Sequence, residues 1–126
     1  MTVTIWMYLV DNGQTYNTPL TVGASDDHFE CGLESRLPYL EFKEADTTAG
    51  SSTIYSVSAE AGSEISLSTW SYVAWTLEAV DFSSSNVFIY KDGVEIKYQA
   101  LNESYSDLTS SSIHVGCSVS SVGSLE

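Results

Sequence analysis

No stretch of this chain keeps a helical hydrophobic period for three turns; what recurs, segment after segment, is alternation with a period of two. Successive side chains of an extended strand point to opposite faces, so alternation of this kind sets one face against a core. Thr2 to Val10 places Val3, Ile5, Met7 and Leu9 on one face and Thr4, Trp6, Tyr8 and Val10 on the other. Both faces carry large side chains, which predicts a central strand. A short strand is expected over 20–23, then two more over 28–33 and 39–44, interrupted near Pro38 because proline cannot donate to a ladder. Residues 53–59 put Tyr55, Val57 and Ala59 on one face. Residues 70–79 set Val73, Trp75 and Leu77 against Tyr72, Ala74 and Thr76, and residues 113–119 align Ile113, Val115, Cys117 and Val119. Trp6, Trp70 and Trp75 all fall inside strand patterns and are assigned to the core.

The strongest local signal is a hairpin. Two β-rich runs, Asn86 to Lys91 and Val94 to Tyr98, are joined by Asp92-Gly93, residues that tolerate the positive φ a type I′ turn requires. Asp11-Asn12-Gly13 and Ala61-Gly62-Ser63 mark further turns, and 46–52 and 81–85 read as polar loops. The polar run from Ala100 to Ser112 is expected to include a short helical turn. Short strands at regular spacing without helices predict an all-β fold, an antiparallel two-sheet sandwich. The 126 residues suit a single domain, 1–126.

Charge narrows the partners. Four basic residues stand against 17 acidic ones, a net charge of −13. Such a surface repels nucleic acid and anionic membranes and favours calcium or a basic partner, beyond keeping a sticky β protein soluble. No apolar run reaches the length of a membrane span. Abundant Ser and Thr with scarce Lys point to an extracellular or cell-surface protein. Cys31 and Cys117 permit one disulfide or two buried thiols, and Asn102-Glu103-Ser104 is an acceptor triplet for N-glycosylation.

Four blocks, in order along the chain, resemble the laminin-G-like branch of the concanavalin-A-like domains. Leu67-Ser68-Thr69-Trp70-Ser71-Tyr72-Val73-Ala74-Trp75-Thr76 resembles the pattern L-x-x-W-x-H/Y-V-A-x-T. Val87-Phe88-Ile89-Tyr90-Lys91-Asp92-Gly93-Val94 resembles that family's V-x-L-Y-V-D/N-G-V hairpin. Thr2-Val3-Thr4-Ile5-Trp6-Met7-Tyr8 resembles its early F-T-I-x-x-W-V strand, and Ile113-His114-Val115-Gly116-Cys117 its late L-x-I-G strand. The resemblance covers most of the chain and implies a jelly-roll sandwich. Such domains have one more strand before the first block and a closing strand after the last. On the resemblance, the first and last strands are therefore expected to be missing, and the chain to be a segment of a longer one or to receive an edge strand from another subunit.

The resemblance also brings enzymes into view, because glycoside hydrolases share this fold and work through paired carboxylates. Their acids alternate along one strand, E-x-D-x-E, so that they share a face. Glu41-Phe42-Lys43-Glu44, Glu44-Ala45-Asp46 and Glu78-Ala79-Val80-Asp81 do not match that pattern. His28 and His114 are the only histidines, no G-x-S-x-G elbow occurs, and His114 and Cys117 have opposite parity on a strand. The chain is accordingly read as not an enzyme. Laminin-G-like domains often hold one Ca²⁺ at the sandwich rim, and Asp26 and Asp27, with Glu30 nearby, are the leading candidates for it; Asp11-Asn12 and Asp81 with Asn86 are others. A sugar platform could come from Tyr16, Tyr39, Tyr55, Tyr98 or Tyr105. The leading expectation is an extracellular, non-catalytic adhesion module that recognises glycans or proteins. The alternatives are a structural subunit that assembles with copies of itself through open sheet edges, and an inactive relative of a glycoside hydrolase.

Overall fold

The computed structural model of the chain describes residues 1–10, 16–24, 27–46, 51–81, 84–102 and 113–115, of which 16–18, 23–24, 27, 44–46, 51–53, 81 and 113–115 are described in backbone only. The elements are β1 (Thr2–Tyr8), β2 (Tyr16–Ala24), β3 (Asp27–Glu34), β4 (Leu37–Asp46), β5 (Ser51–Ser58), β6 (Trp70–Asp81), β7 (Ser84–Lys91), β8 (Val94–Leu101) and β9 (Ile113–Val115). They form a four-stranded sheet in the order β1-β6-β7-β8 and a five-stranded sheet in the order β5-β4-β3-β2-β9. Every strand pairing is antiparallel. The all-β two-sheet sandwich expected from the alternation is therefore present, and the described residues contain no helix.

The two inner faces share one core. Phe29, Cys31 and Leu33 of β3, Leu40 and Phe42 of β4 and Val57 of β5 meet Val73, Trp75 and Leu77 of β6 and Val87 and Ile89 of β7. Val3, Ile5 and Met7 of β1 pack against this cluster from one margin. Ile65, from the segment between β5 and β6, is fully buried. It is held by its own N–H, which donates to the Arg36 carbonyl at 2.9 Å, and by the Arg36 guanidinium, which donates to the Ile65 carbonyl at 3.4 Å.

Two turns carry positive φ at both central residues, as the right-handed twist of their strands requires. Asp92 (φ 52°) and Gly93 (φ 83°) close the β7–β8 hairpin, the type I′ turn the sequence announces. The Asp92 carboxylate also accepts from the Tyr72 N–H at 2.8 Å, and the Asp92 N–H donates to the Tyr72 carbonyl at 2.8 Å, so the turn is pinned to β6. Ser35 (φ 49°) and Arg36 (φ 71°) close the β3–β4 hairpin, where no Gly, Asn or Asp marks the turn. Pro38 lies inside β4 rather than interrupting it. It sits one residue from the strand start, opposite Leu33, and its carbonyl accepts from the Ala59 N–H at 2.8 Å.

β1 corrects one expectation. It terminates its sheet and pairs with β6, so it is an edge strand rather than a central one. Its second apolar face is not covered by a neighbouring layer; Trp6 and Tyr8 point outward and stay exposed. β2 runs longer than the short strand expected over 20–23. Of the run from Ala100 to Ser112, where a helical turn is expected, Ala100 and Leu101 belong to β8 and 103–112 lie outside the described residues, as does the end of the last predicted strand, beyond Val115.

Candidate functional site

The outer face of the four-stranded sheet is built from the residues of β1 and β6 that alternate with the core set. Trp6 stands directly across from Tyr72, and Tyr8 across from Trp70. Their ring centroids lie 5.4 Å and 5.5 Å apart, with interplanar angles of 51° and 53°. These tilted geometries are the ones aromatic quadrupoles favour. The rings are nevertheless open to solvent: Trp6 is 65% exposed, Trp70 63% and Tyr8 47%. Farther along the same face Phe88 contacts Tyr90 (6.3 Å) and Tyr98 (5.1 Å). Thr2 and Thr76, their hydroxyls 3.1 Å apart, lie level with Phe88 and Tyr98, and Thr4 and Ala74 separate that row from the ladder.

This overturns the assignment of all three tryptophans to the core. Trp75 is fully buried, whereas Trp6 and Trp70 form the exposed ladder. The physical reason is parity. On β6, Trp70 shares its face with Tyr72, Ala74 and Thr76, and the core-facing residues are Val73, Trp75 and Leu77. Of the tyrosines named as sugar platforms, Tyr98 is exposed (51%), Tyr39 is buried (6%) and Tyr55 stacks on Phe42 at 4.9 Å against the core. The side chain of Tyr16 and all of Tyr105 lie outside the described residues.

A second constellation lies on the outer face of the five-stranded sheet, and it is closed to solvent. Thr21 of β2, His28 and Glu30 of β3 and Tyr39 of β4 are all buried there. The Tyr39 hydroxyl donates to Glu30 Oε1, and the Thr21 hydroxyl donates to Glu30 Oε2 at 3.4 Å. Glu41 stands across from Glu30, with its Oε1 3.5 Å from His28 Nε2. Gly32 makes the arrangement fit: a Cβ at that position would stand 2.4 Å from Tyr39 Cζ. Glu30 and Glu41 are two carboxylates on one face, the residue type glycoside hydrolysis uses. Glu30, however, is 5% exposed and engaged by two hydroxyls. Cys31, next along β3 and turned to the core, carries a free thiol. Burial, reinforced by the Glu30 charge, pushes that thiol far above its ordinary range. Cys117, its expected partner in a disulfide, lies outside the described residues.

The remaining sequence candidates are placed as follows. Asp26 lies outside the described residues and Asp27 opens β3 with only its backbone described. Asp11 and Asn12 are outside them as well, and Asp81 ends β6 in backbone only. Asn86 donates to Glu78 Oε2 at 3.5 Å and accepts from the Tyr98 hydroxyl at 3.3 Å. Among the described residues no three His, Cys, Asp or Glu side chains are grouped so as to hold a metal ion. Asn102 is exposed just past β8, with the rest of its triplet outside the described residues. Among the described residues no helix is long and apolar enough to cross a membrane.

The family model of the concanavalin A-like lectin/glucanases superfamily, in its laminin-G form, matches residues 1–125. No curated protein matches the chain.

Proposed function

The chain belongs to the concanavalin A-like lectin/glucanases superfamily, and from that premise and the exposed ring ladder we propose that it is a non-catalytic module that binds glycans or proteins outside the cell, through the outer face of β1 and β6. One observation carries the reading. Trp6, Tyr8 and Trp70 are large rings held in fixed cross-strand pairs and left in water, at the cost of keeping apolar surface hydrated. Ordered Trp and Tyr side chains give contact area with little conformational entropy to lose, which is why they dominate binding hot spots. The non-catalytic part is supported by the burial of Glu30 and by the lack of an E-x-D-x-E run in the sequence. The extracellular part is supported by the family and by a composition rich in Ser and Thr and poor in Lys.

The test is a parallel screen of a glycan array and an array of extracellular protein domains, using wild type and the Trp6→Ala/Trp70→Ala double variant. Ligands bound by wild type and lost by the variant, while the variant still unfolds cooperatively in urea, support the proposal. Ligands bound equally by both place binding elsewhere and overturn it. Release of reducing sugar from any glycan hit would overturn the non-catalytic part alone.

A further inference from the structure

The charges around the ring ladder select among its partners. The four Lys and Arg side chains are turned away from it, and the N-terminal ammonium of Met1, at the start of β1, donates to the Leu77 carbonyl at 2.6 Å. Arg36 reaches the Ile65 carbonyl, Lys91 Nζ donates to the Glu64 carbonyl at 2.7 Å, and Lys97 Nζ pairs with Glu60 at 3.2 Å. Lys43 stands on the five-stranded sheet, in register with His28. The charged groups that border the outer face of the four-stranded sheet are carboxylates: Glu78 on β6, Asp92 at the hairpin turn beside Tyr72, and Glu95 on β8 across from Tyr90. Exposed π faces in an acidic field, with no described Lys or Arg side chain turned to them, are what a guanidinium or ammonium group binds, since it stacks on the ring.

The spacing of the rings adds a second constraint. Trp6 and Tyr8 are two residues apart on β1, so the Trp6–Tyr72 and Tyr8–Trp70 pairs repeat at about 6.6 Å along the strand. Alternate side chains of an extended peptide repeat at the same distance. A second copy of the chain is disfavoured, because it would bring a net charge of −13 against another −13. A polyanionic glycan is repelled in the same way, and a neutral one gains nothing from the acidic field.

We propose that the Trp6–Tyr72 and Tyr8–Trp70 ladder is a docking face for an extended basic polypeptide segment, with Arg or Lys at alternate positions seated over successive ring pairs. The inference rests on the binding-face reading above and narrows it to one partner class. The acidic field draws the segment in and the rings hold it, so association is salt-dependent while specificity lies with the aromatics.

The probe is a capped heptapeptide alternating Ser and Arg, set beside the same peptide with citrulline for arginine and beside a neutral β-glucan hexasaccharide. Binding is followed by tryptophan fluorescence and by calorimetry, in wild type, Trp6→Ala, Trp70→Ala and the far-sheet control Ile54→Ala, with urea midpoints showing that each variant folds. The expected result is saturable binding of the arginine peptide, at least fivefold weaker in Trp6→Ala and in Trp70→Ala, unchanged in Ile54→Ala and absent with citrulline. Arginine binding untouched by either tryptophan substitution is diffuse electrostatics and overturns the inference, as does equal binding of the citrulline peptide. If the hexasaccharide binds in a tryptophan-dependent way and the arginine peptide does not, this inference falls and the binding-face reading stands. If no probe depends on the tryptophans, both fall.

Discussion

Replacing Gly32 by alanine adds one methyl group to β3 and displaces a ring on β4. The new Cβ would lie 2.4 Å from Tyr39 Cζ and 2.5 Å from Cε1 and Oη. Carbon atoms in contact sit about 3.5–4.0 Å apart, so the ring must retreat by roughly 1 Å or more. Tyr39 is 6% exposed, and forcing such a shift in a packed layer costs about 1–3 kcal/mol. The shift also takes the Tyr39 hydroxyl off the buried Glu30 carboxylate, and a hydrogen bond to a charged group contributes about 1.5–3 kcal/mol. Replacing glycine within a strand returns about 0.5–1 kcal/mol of backbone entropy. The expected net loss is about 2–5 kcal/mol, read as a fall in the urea midpoint of about 1 M or more. A double-mutant cycle isolates the cause: in a Tyr39→Ala background the Cβ meets no ring, and Gly32→Ala should be neutral or slightly stabilising. A loss under about 0.5 kcal/mol in the wild-type background, or an equal loss in both backgrounds, would refute the reasoning.

Three further outcomes follow from the same structure. Trp75→Ala, which empties a fully buried site, should cost about 3–5 kcal/mol in urea titration, while Trp6→Ala and Trp70→Ala should each cost about 0.5–1.5 kcal/mol, the worth of one aromatic pair. The Cys31 thiol, buried and held protonated, should resist a disulfide-exchange reagent in the native protein and react at the rate of a free thiol once urea unfolds the chain. The Gly62 N–H, 3.1 Å from both Glu64 carboxylate oxygens, holds that carboxyl below its ordinary value of 4.5, with smaller help from its own backbone N–H and from Arg36 and Lys91. Its folded form thus binds its proton less readily than the unfolded form. The stabilisation is therefore present above pH 4.5 and fades as pH falls through the lowered folded value, and Glu64→Gln should flatten that part of the curve of urea midpoint against pH.

The sequence was most legible where a local rule decides the outcome. Asp92-Gly93 has few alternatives to a tight turn, and alternation placed Val73, Trp75 and Leu77 inward because a strand has two faces. The Ser35-Arg36 turn was not legible. Neither residue favours positive φ, and the conformation is sustained by Ile65, 29 residues away, whose N–H and carbonyl both engage Arg36. The exposure of Trp6 and Trp70 was half legible. Their parity set them against the core face, but the general preference of tryptophan for burial argued the other way, and parity prevailed because no layer covers the outer face of β1 and β6 at these rings. The buried cluster around Glu30 was hidden because its residues alternate like a solvated face. Gly32 was its one sequence trace, and a glycine within a strand does not say which ring lies over it.

The place of β1 in the chain has a kinetic consequence. β2 to β5 and β6 to β8 are built from sequential hairpins, whereas β1 finds β6 across 74 residues, the separation of Thr2 and Thr76, and β9 finds β2 across 91, that of Val22 and Ile113. Loop-closure entropy makes both of these pairings slow, late steps of folding, and an edge strand held on one side opens readily. The aromatic ladder shared by β1 and β6 therefore exists only while this late pairing stays zipped, and hydrogen exchange at the β1 amides measures how often it does not. A ligand that grips Trp6 and Trp70 together would staple the late strand to the early one, slowing exchange throughout β1 and raising the melting temperature in proportion to the logarithm of its concentration.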